Sequence, residues 1–254
     1  MTDALLGIRN LTKRFGGVLA SNGISFEMPA GELHAVIGPN GAGKSTLIGQ
    51  LAGEIRPDGG QIFFNGRDIT RVPAYRRSAL GLARSFQITS LFQDFTVLDN
   101  VALAVQAHAG HSFRFWRPAR SEARLRGPAR AALARAGLEH RADDLCASLS
   151  HGEHRQLEIA MALATHPRLF LLDEPMAGTG PEESAAMVAL LSELKQSHTI
   201  LLIEHDMDAV FRLADRITVL VDGRVIASGL PEEIRANAAV RAAYLGAERA
   251  GGHG

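Results

Sequence analysis

A single cysteine, Cys146, stands among 254 residues. No internal disulfide framework can hold such a chain together, and the composition suits a reducing compartment. Neither sign of charge is in excess, since Lys plus Arg and Asp plus Glu each total 27. That balance gives no pointer to nucleic acid or to an acidic partner. No apolar run approaches the roughly 20 residues a membrane helix needs. The longest candidates, Leu169–Leu172 and Thr199–Ile203, are strand-sized. Met1–Gly7 lacks the basic start and long apolar stretch of a secretory signal. Internal repeats and low-complexity tracts are absent as well. These absences predict a soluble protein with ample length for a large core, and leave docking on a membrane protein open.

Against this background one stretch is highly specific. Gly38-Pro39-Asn40-Gly41-Ala42-Gly43-Lys44-Ser45-Thr46 matches the phosphate-binding pattern G-x-x-x-x-G-K-[ST] at every fixed position. Glycines let the backbone curl so that several N–H groups point at one place and form an anion site. Lys44 can bring positive charge to the β- and γ-phosphates, and the Ser45 hydroxyl can reach Mg²⁺. Leu33–Ile37 reads as a buried strand before the loop, and Thr46–Leu51 as the helix after it, whose N-terminal dipole also favours phosphate. A glycine-rich turn matching by accident would lack these flanks. The reading is a nucleoside triphosphate site.

Residues 5–37 carry short apolar or alternating segments broken by Gly16-Gly17, Asn22-Gly23 and Pro29-Ala30-Gly31, which predicts antiparallel strands and hairpins. Gln61–Phe64 before Asn65-Gly66 predicts another strand and turn. From the phosphate loop onward, helical stretches alternate with buried strands at Leu169–Leu172, Thr199–Ile203 and Ile217–Val221, which implies a parallel α/β sheet. Between about Val97 and Ser148 alanine, leucine and arginine dominate, so this span reads as an inserted helical lobe. Pro231-Glu232-Glu233-Ile234 opens a further helix with proline and acids in its first turn. The expected fold class is α/β: a P-loop core with a mostly parallel sheet, an antiparallel β subdomain and an inserted α-helical lobe.

Leu169–Leu172 runs directly into Asp173 and Glu174. A buried strand puts Asp173 at its carboxyl end beside the phosphate loop, where it can hold Mg²⁺ through water. Glu174 is then placed to orient or deprotonate an attacking water. Leu149-Ser150-His151-Gly152-Glu153 precedes a helical pattern, and Ser150 with Glu153 has capping-box spacing. A Ser-capped helix N-terminus is itself an anion site.

With these motifs in this order, the chain resembles the ATP-binding subunits of ABC transporters. The resemblance spans nearly the whole chain. It implies that Ser150 and Gly152 hold the γ-phosphate of ATP bound to a second copy, and that the catalytic set is Glu174, His205, Lys44 and Gln87. It further implies that Phe15 stacks on adenine, that Gln87 senses Mg²⁺ and water while facing the membrane subunit, and that His205 contacts the γ-phosphate. Mg²⁺ would be held by Ser45, Gln87 and Asp173. The implied layout is one ATPase domain over 1–235, with core segments 1–86 and 149–235 and a lobe at 87–148, then a helix and tail at 236–254. Three positions depart from the family pattern. His151 stands where glycine is usual, Glu153 where glutamine is usual, and Gly180 where the loop after Pro175 ends in aspartate or asparagine.

The runs Leu91–Val101, Leu157–Ala160, Ile203–Met207 and Tyr244–Gly246 narrow the resemblance to the ATPases of branched-chain amino acid importers and their amide or urea relatives. Implied partners are a second ATP-binding subunit (self or paralogue), membrane permeases and, indirectly, a substrate-binding protein. Nucleic acid is not expected, and the implied place is the cytoplasmic face of the cell membrane. Lipid or lipopolysaccharide export, and non-transport ABC ATPases acting on nucleic acid or iron–sulfur assembly, stay open as alternatives. A P-loop kinase would leave Leu149–Glu153 and His205 unexplained. Residues 111–130 interleave Arg114, Arg117, Arg120, Arg124, Arg126 and Arg130 with Phe113, Phe115 and Trp116. Such a segment is either a solvated insertion or a contact to the membrane subunit and its lipid head groups.

Overall fold

The computed structural model describes residues 4–84, 91–108 and 123–243. Its two sheets meet different chemical demands. Strands β1 (Ala4–Phe15), β2 (Val18–Pro29), β4 (Gly59–Phe64) and β5 (Arg67–Asp68) form an antiparallel sheet in the order β2-β1-β4-β5. The second sheet is ordered β10-β9-β3-β8-β7-β6, built from β3 (Leu33–Ile37), β6 (Leu82–Arg84), β7 (Leu169–Asp173), β8 (Thr199–Ile203), β9 (Arg216–Val221) and β10 (Arg224–Gly229). Strands β9, β3, β8, β7 and β6 pair in parallel, and only β10 among the described strands of this sheet is antiparallel.

Parallel strands need cover on both faces, and here alternate side chains divide between two cores. Phe170, Leu172, Ile200 and Leu202 face one core with helices α5 (His151–Leu163) and α6 (Pro181–Leu194). Leu169, Leu171, Leu201 and Ile203 face the other, with α1 (Lys44–Ala52) and the antiparallel sheet. Each fully buried side chain of this kind contributes about 1.5–3 kcal/mol, so strand register is firmly set. Helices α3 (Val97–His108) and α4 (Ala123–Arg135) pack on each other and on α5, forming the helical lobe.

The structure refines the sequence reading at four places. Gly16-Gly17 does make the β1–β2 hairpin, but Asn22-Gly23 stays inside β2. There the pairing steps from Leu11↔Ile24 to Thr12↔Asn22, leaving Gly23 as a bulge residue with φ +73°. Leu33–Ile37 leaves the antiparallel region and enters the parallel sheet between β8 and β9, because it is buried on both faces. The short β6 and the solvent-lapped β10 carry too little hydrophobic signal to be read as strands. Finally, Arg77 is buried and donates to the carbonyls of Gln50 and Leu51 at the C-terminus of α1, and to those of Val72 and Thr70. Burial lowers its pKa to about 10, which still leaves a cation at the negative end of the helix dipole. Helix α2 (Ala74–Ala79) supplies this side chain and so braces the helix that follows the phosphate loop.

Candidate functional site

The phosphate loop occupies the turn between β3 and α1. Its glycines are demanded by space: a Cβ on Gly38 would lie 2.1 Å from the Leu220 carbonyl oxygen, and one on Gly43 2.2 Å from that of Ala20. Gly43 also has φ +100°, so only glycine fits twice over. Lys44 opens α1 and is almost wholly buried, with Nζ donating to the carbonyls of Gly38 (2.7 Å) and Pro39 (3.2 Å). Burial lowers its pKa, while the nearby charges of Glu174 and Asp173 pull the other way. Ser45 is exposed beside it, and Asn40 and Gly41 are exposed at the loop tip.

Because β3, β8 and β7 are adjacent and parallel, the loop after each emerges at the same edge of the sheet. Asp173 ends β7 with its carboxylate buried, and Arg84 Nη2 donates to Oδ2 at 3.2 Å. Burial holds the Asp173 carboxyl above its ordinary range, outweighing the attraction of Arg84. Arg84 also pairs with Glu54, so one guanidinium joins the edge strand, the end of α1 and the end of β7.

Glu174 sits at φ +48°, a left-handed conformation costly for a residue with a Cβ. Its N–H donates to the Ile203 carbonyl at 2.9 Å, which pins it across to β8. His205 follows β8, is largely exposed, and lies with Nδ1 3.9 Å from Glu174 Oε1. That separation is too long for a direct hydrogen bond. Behind both is Glu204, fully buried, accepting from the Met176 N–H with one oxygen and from the His205 N–H with the other. Burial raises the Glu204 pKa against those hydrogen bonds. This acid therefore ties the segment after Glu174 to the segment carrying His205.

Phe15 ends β1 with 49% of its surface exposed, so it is not a core phenylalanine, and Lys13 Nζ lies 5.3 Å from its ring centre. Gln87 falls outside the described residues, as do Tyr244–Gly246. So do Arg114, Arg117 and Arg120. Within the basic segment Arg126 meets Asp99 at 3.2 Å, and Arg126 and Arg130 both approach Asp143, so these two arginines serve the lobe itself.

Ser150 caps α5 as its spacing predicts. The Glu153 N–H donates to Ser150 Oγ at 3.2 Å, and the Ser150 N–H donates to Glu153 Oε2 at 2.7 Å. The Glu153 carboxylate also meets Arg141 Nε at 3.2 Å. Its charge is thus committed to its own helix and to a cation. Ser150 and Gly152 are tied to the start of α6, through Glu183, and His151 Nε2 lies 3.3 Å from the Ala177 carbonyl.

Arg84, Glu183 and Glu204 were not singled out in the sequence. Glu204, an acid closing an apolar strand beside His205, carried the strongest signal of the three. Glu183 shows only the acidic first turn of a helix, and Arg84 shows nothing local.

Comparison with known proteins follows the same lines. A family model described as ABC transporter matches residues 21–177, and one described as branched-chain amino acid ATP-binding cassette transporter matches residues 224–250. The high-affinity branched-chain amino acid transport ATP-binding protein LivG of Salmonella typhimurium is 41% identical, over 97% of this chain and 99% of its own. BraF of Pseudomonas aeruginosa, which carries the same description, is 39% identical over the same shares. A crystal structure of an ATP-binding cassette of an ABC transporter in its ADP conformation superposes with TM-score 0.85 at 30% identity, covering 96% of this chain and all of that one. The nucleotide-binding loop, the acid-ended strand and the capped Ser150 helix thus sit in a shared fold, and the chain belongs to the family of ABC transporter ATP-binding proteins.

Proposed function

We propose that this chain is the ATP-hydrolysing subunit of an importer for branched-chain amino acids or related small amides. The observation that carries the proposal is the convergence of Lys44, Asp173, Glu174 and His205 at one edge of three adjacent parallel strands. ATP would lie with its phosphates on Gly38–Thr46 and its adenine on the exposed face of Phe15. The Ser45 hydroxyl and the Asp173 carboxylate are hard-oxygen donors of the kind Mg²⁺ takes, and these two with Gln87 would hold the ion. When bound, Mg²⁺ supplies positive charge against the phosphate oxygens.

The chain's own groups do the rest. Lys44 holds charge at the β- and γ-phosphates, Glu174 orients or deprotonates the attacking water, and His205 touches the γ-phosphate. Water oxygen bonds to the γ-phosphorus as the bond to the bridging oxygen breaks, giving ADP and phosphate. Two cassettes, this one with a second copy or a paralogue, would close head to tail. Each Ser150–Gly152 loop would then face the other's phosphates. Residues 1–235 act as one ATPase domain with the lobe at 87–148, and 236–254 as its tail.

No helix among the described residues is long and apolar enough to cross a membrane. By the relatives' part in transport, the chain would work at the cytoplasmic face of the cell membrane, bound to permease subunits, with a substrate-binding protein reached through them. A mostly apolar groove of about 530 Å³, lined by Ala74, exposed Tyr75, Leu82, Arg84 and Leu103, suits a permease segment. The relatives' transport of branched-chain amino acids supports the substrate class.

Replacing Glu174 by Gln is expected to slow hydrolysis at least about 100-fold with ATP affinity nearly unchanged, measured by steady-state turnover and calorimetric titration. Equal loss of both would remove the assigned role. Purification of the native complex should bring permeases with it, and uptake of a panel of branched-chain amino acids and amides then reads the substrate.

A further inference from the structure

The loop that would face the partner's phosphate is already engaged within this chain. Ser150 Oγ–H donates to Glu183 Oε1 at 2.8 Å, and the Gly152 N–H donates to the same oxygen at 3.3 Å. The other carboxylate oxygen accepts from the Gly180 N–H at 3.4 Å. Hydrogen bonds from Ser150 lower the Glu183 pKa most, with smaller help from Gly180, Gly152 and His151, so the group is a carboxylate at neutral pH. It is seated closely enough that a Cβ on Gly152 would lie 2.7 Å from Glu183 Cδ.

A serine hydroxyl has one O–H and a backbone amide one N–H. Ser150 Oγ already accepts from the Glu153 N–H, so its single proton is its only offer to an anion, and that proton goes to Glu183. A phosphate taking the same two donors must displace the carboxylate. The two anions also repel each other in one small space.

We propose that Glu183 is a built-in competitor for the phosphate-recognising donors of the Ser150–Gly152 loop, and that its departure is a required step when the ATP-bound dimer closes. The inference rests on the reading that this loop faces a second copy's nucleotide. Its consequence reaches the hydrolytic site along the chain. Glu183 is in the first turn of α6, directly after Met176–Gly180, which begins beside Glu174. His151 adds a second tie from the same loop to Ala177. Release of Glu183 therefore loosens the start of α6, which follows in the chain the segment that Glu204 joins to His205. In this chain the tie between loop and hydrolytic residues needs no side chain at Gly180.

The test uses the full-length chain carrying Glu174→Gln to slow hydrolysis, with Mg²⁺ and ATP titrated and the monomer–dimer midpoint read by sedimentation. Glu183→Gln keeps a capping group at the start of α6 but removes the charge. It is expected to lower the protein concentration at the midpoint about fivefold or more, the range typical of coupling energies. Glu183→Ala should move it in the same direction. ATP binding to the dilute monomer should change less than about twofold in both variants. A Glu183→Gln midpoint unchanged or raised, with Ser150→Ala raising its own, overturns the competitor role and leaves the facing-loop reading standing. If Ser150→Ala leaves the midpoint unmoved, the facing-loop reading fails and the competition fails with it.

Discussion

The phosphate loop and the Ser150 loop both offer backbone N–H groups at the start of a helix, yet they are held in different ways. Around Gly38 and Gly43 the neighbouring carbonyls of Leu220 and Ala20 leave no room for a side chain, and Lys44 is locked onto its own loop. The conformation is set by the loop's own glycines and by close backbone contact with β9 and β2. Beyond its own capping box, the Ser150 loop is held by side-chain ties to distant segments: Glu183 from α6, Arg141 through Glu153, and the Ala177 carbonyl through His151. Side-chain ties of this sort can be exchanged one at a time, whereas a backbone cradle can only be kept or destroyed. One half of the site is thus suited to binding, and the other to switching.

The largest effect should come from the rigid half. Lys44→Ala removes the ammonium that lies against the phosphate loop and should reduce hydrolysis about 100- to 1,000-fold, as loss of a positioned transition-state donor typically does. ATP affinity should fall with it, in contrast to Glu174→Gln. Steady-state turnover and titration calorimetry together separate the two. A Lys44→Ala chain that binds ATP normally would break the distinction between the halves.

How much of each half was legible in the sequence follows from the same difference. Gly38–Thr46 was readable because its whole pattern lies in one short run, and Asp173 and Glu174 because a buried strand announces its own end. The Ser150–Glu153 capping box was readable from spacing alone. Glu183 and Arg84 were not, because what matters about them is the partner each reaches, 33 and 89 residues away in the chain respectively. Asn22-Gly23 misled for the opposite reason. The dipeptide is a good turn former, but long pairing of β1 with β2 on both sides absorbs it as a bulge.

A smaller effect tests whether Asp173 stores strain in the folded chain. Burial holds the folded Asp173 pKa above its unfolded value. The stability linked to this group is therefore full at pH below the unfolded value and lost as pH rises through the folded one. An amide at this position would not titrate. Denaturant unfolding of Asp173→Asn should thus show a stability advantage over the parent that grows from acid to neutral pH, while hydrolysis falls. An advantage independent of pH would mean that the Arg84 pair compensates the burial fully. The site would then carry no such cost.

The smallest effect addresses Gly180, the position where this chain lacks the family's acid or amide. Gly180 is the N-cap of α6, with φ −73° and ψ 170°, a backbone that any residue adopts. Asparagine there gains a cap for the first-turn N–H groups, worth only a few tenths of a kcal/mol over glycine. The melting temperature of a chain this size should rise by about 1 °C. The informative measurement is turnover of the paired cassettes. If cross-talk runs through Glu183 and His151, Gly180→Asn leaves turnover and its dependence on ATP unchanged, since neither tie passes through that side chain. A clear rise in turnover would instead place the communication at residue 180. The family's usual interface contact would then be what this chain is missing.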